Sequence, residues 1–165
     1  MTAALSRMIC FLALTLAAPV AAGVVFAESA AAQTDTRQIS PVLVEKGNAA
    51  AARGDIIGAQ RLLEEAIVAD PANARALGAL GRLHDRQGRA VLARKYYNTA
   101  LGIDPVESDV LNWAGQLDLL EGKTADAQDK LRKLVVTCPD CTQRSELARA
   151  FGKTLINQKP SADGQ

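Results

Sequence analysis

Residues 70–105 read DPANARALGALGRLHDRQGRAVLARKYYNTALGIDP. Within this stretch Leu77, Leu80, Gly81 and His84 recur at i, i+3, i+4 and i+7, one face of a helix. Gly81 on that face carries no side chain, so a partner helix can approach closely. Gly88 follows as a C-terminal breaker. A second helix is predicted over 91–103, with Ala93, Tyr97 and Ala100 on its inner face. Asp104-Pro105 ends it, because proline disfavours helix in the residue before it. The stretch is therefore helix, turn, helix, turn.

The same punctuation appears on either side, always 34 residues away. Pro71, Pro105 and Pro139 form one column; Gly47, Gly81 and Gly115 another; Gly54, Gly88 and Gly122 a third. Ala59, Ala93 and Ala127 keep the same register, as do Leu43, Leu77 and Leu111. A fixed period of this length means stacked supersecondary units, each burying its apolar face against the next. Helices are predicted over 40–53, 57–69, 74–87, 91–103, 108–121, 125–137 and 142–157. Aromatics make up only 4% of the chain and alanine is abundant, which suits closely packed helices rather than a sheet.

These columns resemble the tetratricopeptide repeat. The central unit matches most fully, through Leu77, Leu80-Gly81, Gly88, Ala93, Tyr97, Ala100 and Pro105. The first unit matches through Leu43, Gly47, Gly54, Ala59, Leu63, Ala66 and Pro71. The third matches through Leu111, Gly115, Gly122, Ala127, Leu131 and Pro139, and departs at Leu134, where the family prefers alanine. The aromatic column of the first helices is eroded to Ala50, His84 and Asp118, from which weaker packing is expected at the two ends. The resemblance implies an all-α, right-handed α-solenoid with repeats at 40–73, 74–107 and 108–141. A capping helix follows over 142–158, with Leu147, Ala148, Phe151 and Leu155 inward and Gln143, Arg144, Arg149 and Lys153 outward. Residues 159–165 read as a free tail.

The first helix of each unit, by the same resemblance, lines a concave groove. Its lining is expected to include Asn48, Arg75, Arg82, Asp85, Arg86, Asn112 and Gln116. Arginine forks pair well with carboxylates, so a protein or peptide partner with acidic groups would fit. The alternative is that these arginines are solvated and paired with Asp85 or Glu107. Chaperone-binding relatives use a five-residue carboxylate clamp; only Asn48 matches it, while Val44, Ala79, Asp109 and Trp113 hold the other positions, so that function is rejected. Trp113 either walls the groove or, as we favour, packs between helices. His84 reads as a core histidine.

The N-terminal residues read as an export signal. Arg7 is the only charge before Glu28, and MICFLALTLAAPVAAGVVFA lies between. A basic start, an apolar run and small residues define a secretory signal peptide over 1–32, with cleavage between about 27 and 33. A retained anchor is the rival; Pro19 and Gly23 favour cleavage, which leaves no membrane span. Residues 33–39 are expected to form a flexible leader, since 28–39 lacks helical periodicity. A periplasmic or secreted location follows.

Export also bears on Cys138 and Cys141, which form a C-x-x-C around Pro139. Outside the cytoplasm disulfides persist. A structural staple is favoured over a thiol–disulfide redox pair, because no strand-bearing thioredoxin-like pattern surrounds the motif. Near a helix N-terminus Cys141 would have a lowered thiol pKa, which is the point in favour of redox work. Zinc would need two more ligands and only His84 is at hand. No nucleophile elbow, metalloprotease motif or phosphate-binding glycine loop is present. No cofactor is called for, and 19 basic against 18 acidic residues argues against nucleic-acid binding. The expected role is a non-enzymatic scaffold of the bacterial cell envelope, in a secretion, pilus or outer-membrane assembly system.

Overall fold

The computed structural model describes residues 22–158, with side chains from 36 to 156. The chain divides into two units, residues 1–35 and 36–165. Every element among the described residues is α-helical: α1 Ala22–Ala52, α2 Ile56–Ala69, α3 Ala74–Arg86, α4 Ala90–Ile103, α5 Ser108–Leu120, α6 Thr124–Thr137 and α7 Thr142–Gln158. From α2 onward each boundary lies within about a residue of its expected place.

The exception is α1. Residues 28–39, expected as a leader, are helical and continue through Pro41. No glycine or proline interrupts Val24–Ser40, and the stretch holds Ala27, Ala30, Ala31 and Ala32. Such a segment needs no apolar stripe to be helical, because alanine loses no side-chain entropy there. Residues 1–21 of the expected signal peptide and the tail 159–165 lie outside the described residues. Among the described residues no helix is long and apolar enough to cross a membrane.

In the second unit the glycine columns do two different jobs. Gly54, Gly88 and Gly122 have φ of 83°, 74° and 75°, the left-handed backbone that closes each helix-to-helix turn. Gly47, Gly81 and Gly115 permit close approach instead. A Cβ on Gly47 would stand 2.8 Å from Leu63 Cγ, and one on Gly81 would stand 2.9 Å from Tyr97 Cδ1. The third breaks the pattern: the nearest neighbour of Gly115 is Leu147 of α7, at 2.7 Å, not a residue of α6.

The core runs along the unit as three linked clusters. Leu63, Leu80 and Leu83 centre the first; Tyr97, Val110 and Leu117 the second; Leu111, Leu134 and Leu147 the third. Leu63, Leu111, Leu134 and Leu147 are each buried, and complete burial of one such side chain contributes about 1.5–3 kcal/mol. Leu134, where the family prefers alanine, fills space beside Leu147.

Polar residues tie the units at their seams. Buried Ser40 donates to Ala66 O (2.8 Å) and accepts from Asn73 Nδ2 (2.8 Å). Asn73 also caps α3 by accepting from Ala76 N (3.0 Å). The expectation of weak packing at Asp118 is corrected. Asp118 is fully buried and ion-paired on both oxygens, to Arg94 Nη1 (2.8 Å) and Lys130 Nζ (2.6 Å). Arg94 Nη2 and Lys123 Nζ then share Glu121 at 2.8 and 2.7 Å. An ion-pair network joining α4, α5 and α6 stands where an aromatic ring was expected. The other eroded positions are also buried: Ala50 is in the core, and His84 stacks on Tyr96 with ring centroids 5.5 Å apart.

Candidate functional site: a groove lined by alternate helices

The face made by α1, α3, α5 and α7 carries two adjoining cavities. The first, about 300 Å³, is lined in part by Ala51, Ala52, Leu63, Ala79, Leu83 and Trp113. Asn48, Arg82, Arg86 and Glu146 rim it. The second, about 360 Å³, is lined by Arg82, Gln116, Glu146, Arg149, Ala150 and Lys153. Arg82 and Glu146 belong to both, so they form the wall between them.

The structure brings Asn48, Arg82, Arg86 and Gln116 into these cavities. Asn112 lies beneath them, buried, with its amide committed on both sides: it donates to Glu146 Oε2 (2.7 Å) and accepts from Gln116 Nε2 (2.7 Å). Asp85 lines neither cavity. It accepts from Arg82 Nη1 (3.1 Å) and from the Tyr97 hydroxyl (3.5 Å). Burial and the Asp85 charge push the Tyr97 phenol well above its ordinary pKa, so it remains a neutral donor. Arg75 also lines neither cavity; it bridges Glu45 of α1 and Asp109 of α5, each at 3.3 Å. Arg75 therefore acts across three helices as a tie, while Arg82 remains at the cavities. Trp113 is half-buried and serves both roles weighed above, packing on the second core cluster while walling the first cavity.

Helix α7 is placed differently from the sequence expectation. Arg149 and Lys153, read as outward, line the second cavity. Gln143 turns to α5 and donates to Asp109 Oδ1 (2.6 Å). Ala148, read as inward, is exposed, and Ala150 packs in its stead. Glu146 was missed altogether. A signal for it exists: carried past residue 141, one 34-residue step maps Asn112 onto Glu146, Gln116 onto Ala150 and Leu119 onto Lys153. The same step maps Gly115 onto Arg149, which lines the second cavity. So α7 continues the groove.

Four cations thus surround the two cavities against one carboxylate, Glu146. Asp85, just outside, ties one nitrogen of Arg82, whose Nε is buried without a partner. Among the described residues Arg86, Arg149 and Lys153 make no ion pair. Side chains in that state attract anions and give up little on binding them.

Cys138 and Cys141 stand at the junction of α6 and α7. Their Cα atoms are 5.5 Å apart, within the span a disulfide needs, and the structure joins their sulfurs. The two equivalent turns explain the placement. In them Asp70 and Asp104 accept from the backbone N–H two residues on, at 3.2 and 3.0 Å. Asn73 and Glu107, three residues later, cap the following helix. Cys138 occupies the aspartate column and Cys141 the cap column. The same backbone bond, residue i+3 N–H to residue i O, closes all three turns at 3.1, 3.4 and 3.3 Å.

Comparison with known proteins agrees with this geometry. Residues 44–108 match the family model described as tetratricopeptide repeat. A cellulose synthase operon protein C from Xanthomonas axonopodis is 38% identical over 69 residues, 42% of this chain and 4% of that protein. A TPR repeat-containing protein of Pseudomonas aeruginosa is 35% identical over 89 residues, 53% of this chain and 15% of that one. This chain thus spans a small part of the length of either relative. Among solved structures, Pseudomonas aeruginosa pilF superposes with a TM-score of 0.67 at 23% identity, covering 78% of this chain and 56% of that one. The first TPR of Spaghetti (RPAP3), bound to the HSP90 peptide SRMEEVD, gives 0.63 at 19% identity, covering 72% and 97%. With its glycine, alanine and proline columns, its helix pairs and the family match over residues 44–108, the chain carries repeats of the tetratricopeptide type on an all-α fold shared with these structures.

Proposed function

We propose that this protein is a non-enzymatic interaction scaffold of the periplasm or cell envelope, holding an acidic segment of a protein partner in its groove. One observation carries the reading: Arg86, Arg149 and Lys153 line the cavities with Arg82 and have no ion pair among the described residues. The RPAP3 domain of the same fold is described with a peptide bearing three acidic side chains, SRMEEVD, which is consistent with acid recognition. The basic start and apolar run of residues 1–32, read as an export signal, are what support the envelope location. A secretion, pilus or outer-membrane assembly system is the setting we favour. The test is capture of partners from the native envelope by the wild type, by Arg82→Glu/Arg149→Glu and by Lys95→Glu on exposed α4. The groove variant should lose the partners and Lys95→Glu should keep them, with capture weakening as salt rises. Equal capture by all three would remove the groove as the site.

A second reading is a thiol–disulfide protein, favoured by the position of Cys141 at the N-terminus of α7, where the helix dipole stabilises a thiolate. The replacement of two polar turn residues by the pair supports a structural disulfide instead. Insulin-reduction turnover, or a reduction potential as high as that of a periplasmic oxidant, would favour the redox reading.

A further inference from the structure

The three inter-repeat turns share a backbone but are tied by different chemistry. The first is held by Asp70 and by Asn73, whose side chain accepts from Ala76 N (3.0 Å) and donates to Ser40 Oγ (2.8 Å). The second is held by Asp104 and Glu107. The third has Cys138 and Cys141 in those two columns, and the tie between their side chains is a disulfide. Opening that bond leaves a thiol at the cap position of α7. A thiol is a weak acceptor and a poor substitute for the carboxylate or amide oxygen that caps the other helices.

The helix entered through this turn is the one on which the second cavity depends. It supplies Glu146, Arg149, Ala150 and Lys153, against Arg82 from α3 and Gln116 from α5. Among the described residues α7 packs on α5 and α6 alone. Its ties to α5 are Gln143 to Asp109 (2.6 Å), Glu146 to Asn112 (2.7 Å) and Leu147 beneath Gly115. All three lie in the two helical turns nearest the cysteines. An end helix with neighbours on one side opens at lower free energy than the middle of a stack.

Resting on the groove reading above, we propose that the Cys138–Cys141 pair is a redox clasp on the groove. The disulfide holds α7 in register on α5, and its reduction releases the helix and disperses the cationic edge that Arg149 and Lys153 provide. The pair is the substrate of thiol–disulfide exchange, and the reductant is a dithiol. One thiolate of the reductant attacks Cys138 Sγ, the S–S bond breaks, and Cys141 leaves as a thiolate. Cys138 is the sulfur attacked, because it lies between exposed Thr137 and Pro139 while Cys141 packs on the third core cluster. Cys141 is the better leaving group, since it stands at the N-terminus of α7, where the helix dipole stabilises negative charge. The second thiol of the reductant then attacks the mixed disulfide and frees Cys138. The protein gains two electrons and two protons, and the reductant ends as a disulfide.

The test compares the purified full-length chain, oxidised and after dithiothreitol, with two variants that carry no thiol at the turn. Cys138→Ser/Cys141→Ser copies the open clasp, and Cys138→Asp/Cys141→Asn installs the polar ties of the first turn. Peptide mapping after alkylation reads the state of the pair. The side-chain amide signals of Asn112 and Gln143 in nitrogen-15 NMR read the contact of α7 with α5, with no partner needed, because these amides donate to Glu146 and Asp109. Both signals should move toward solvent-exposed values on reduction and in the Ser/Ser variant. Both should keep their oxidised positions in the Asp/Asn variant, with or without dithiothreitol. Capture of partners from the native envelope, without reductant, should fall about fivefold in the Ser/Ser variant, the factor that one lost helix cap is worth. The Asp/Asn variant should capture as the wild type does. No disulfide in the purified chain, or amide signals unmoved once it is opened, would overturn the clasp. So would an Asp/Asn variant that behaves as Ser/Ser, or circular dichroism showing that reduction unfolds the whole unit. Ser/Ser capture equal to wild type, while Arg82→Glu/Arg149→Glu loses the partners, would overturn the clasp and leave the groove reading intact. Capture indifferent to both would overturn the two together.

Discussion

Two buried side chains stand where this fold ordinarily places an aromatic ring, and each makes a different demand. His84 is 4% exposed, stacked on Tyr96, with Nδ1 unpartnered. Burial lowers its pKa below 6.5, and the Arg89 charge lowers it further against the opposing pull of Glu64. The unfolded chain then binds the proton first, so stability falls as pH drops below about 6.5 and His84 contributes no such loss above it. His84→Phe should flatten the dependence of the urea midpoint on pH between 6.5 and 5; an unchanged slope would place the acid sensitivity elsewhere. Asp118 poses a different problem, because it is buried and paired with two cations. Asp118→Ala would leave Arg94 and Lys130 facing one another and should cost about 3 kcal/mol. Asp118→Phe combined with Arg94→Met and Lys130→Met should recover most of that loss, since replacing a whole buried ion network by apolar groups is often neutral. A urea midpoint unmoved by Asp118→Ala would mean the network adds nothing to stability. None of this was legible in the sequence. A lone Asp in an aromatic column shows only a loss; the compensating Arg94 and Lys130 lie 24 and 12 residues away and are not in one helix face with it.

At the level of helices and turns, legibility followed backbone chemistry. Glycine at positive φ and proline after a helix act locally, so the columns at Gly54, Gly88 and Gly122 and at Pro71, Pro105 and Pro139 placed α2 to α7 within about a residue. Side-chain periodicity served less well where it was weak. It put a leader at 28–39, where alanine-rich sequence is helical without a stripe, and it turned α7 the wrong way by treating its charges as solvent-facing. The third inter-repeat turn carries a sharper prediction. If the cysteine pair does the work of an Asx turn and an N-cap, reduction should loosen α7 without unfolding the unit. Hydrogen exchange over 142–157 should quicken while α3 and α4 stay protected. Cys138→Asp/Cys141→Asn, which installs the residues of the first turn, should be more stable than the reduced wild type by about 1 kcal/mol. If that variant is instead less stable than Cys138→Ser/Cys141→Ser, the equivalence of the three turns is wrong.

Across the whole second unit, the stack is held by contacts between neighbours: three core clusters, the Ser40–Asn73 seam, Arg75 across α1, α3 and α5, and Gln143 reaching Asp109. What the sequence supplied for the candidate site was the register that sets Asn48, Arg82, Arg86 and Gln116 along the cavities. What it did not supply was the division of labour among its arginines, because ion pairs with Glu45, Asp85 and Asp109 depend on helix-to-helix geometry. Nor did it supply the cationic edge from α7. The central claim is that a partner occupies this groove. Site-specific photo-crosslinking in the native envelope tests it most directly, with the probe at Asn48, Gln116 or Ala150 in the groove and at Ile57, Val91 or Val136, all highly exposed, on the second helices. A groove-bound partner predicts one shared crosslinked species from the three groove positions and none from the others. The same species arising from Ile57, Val91 and Val136, with the groove positions silent, would contradict it.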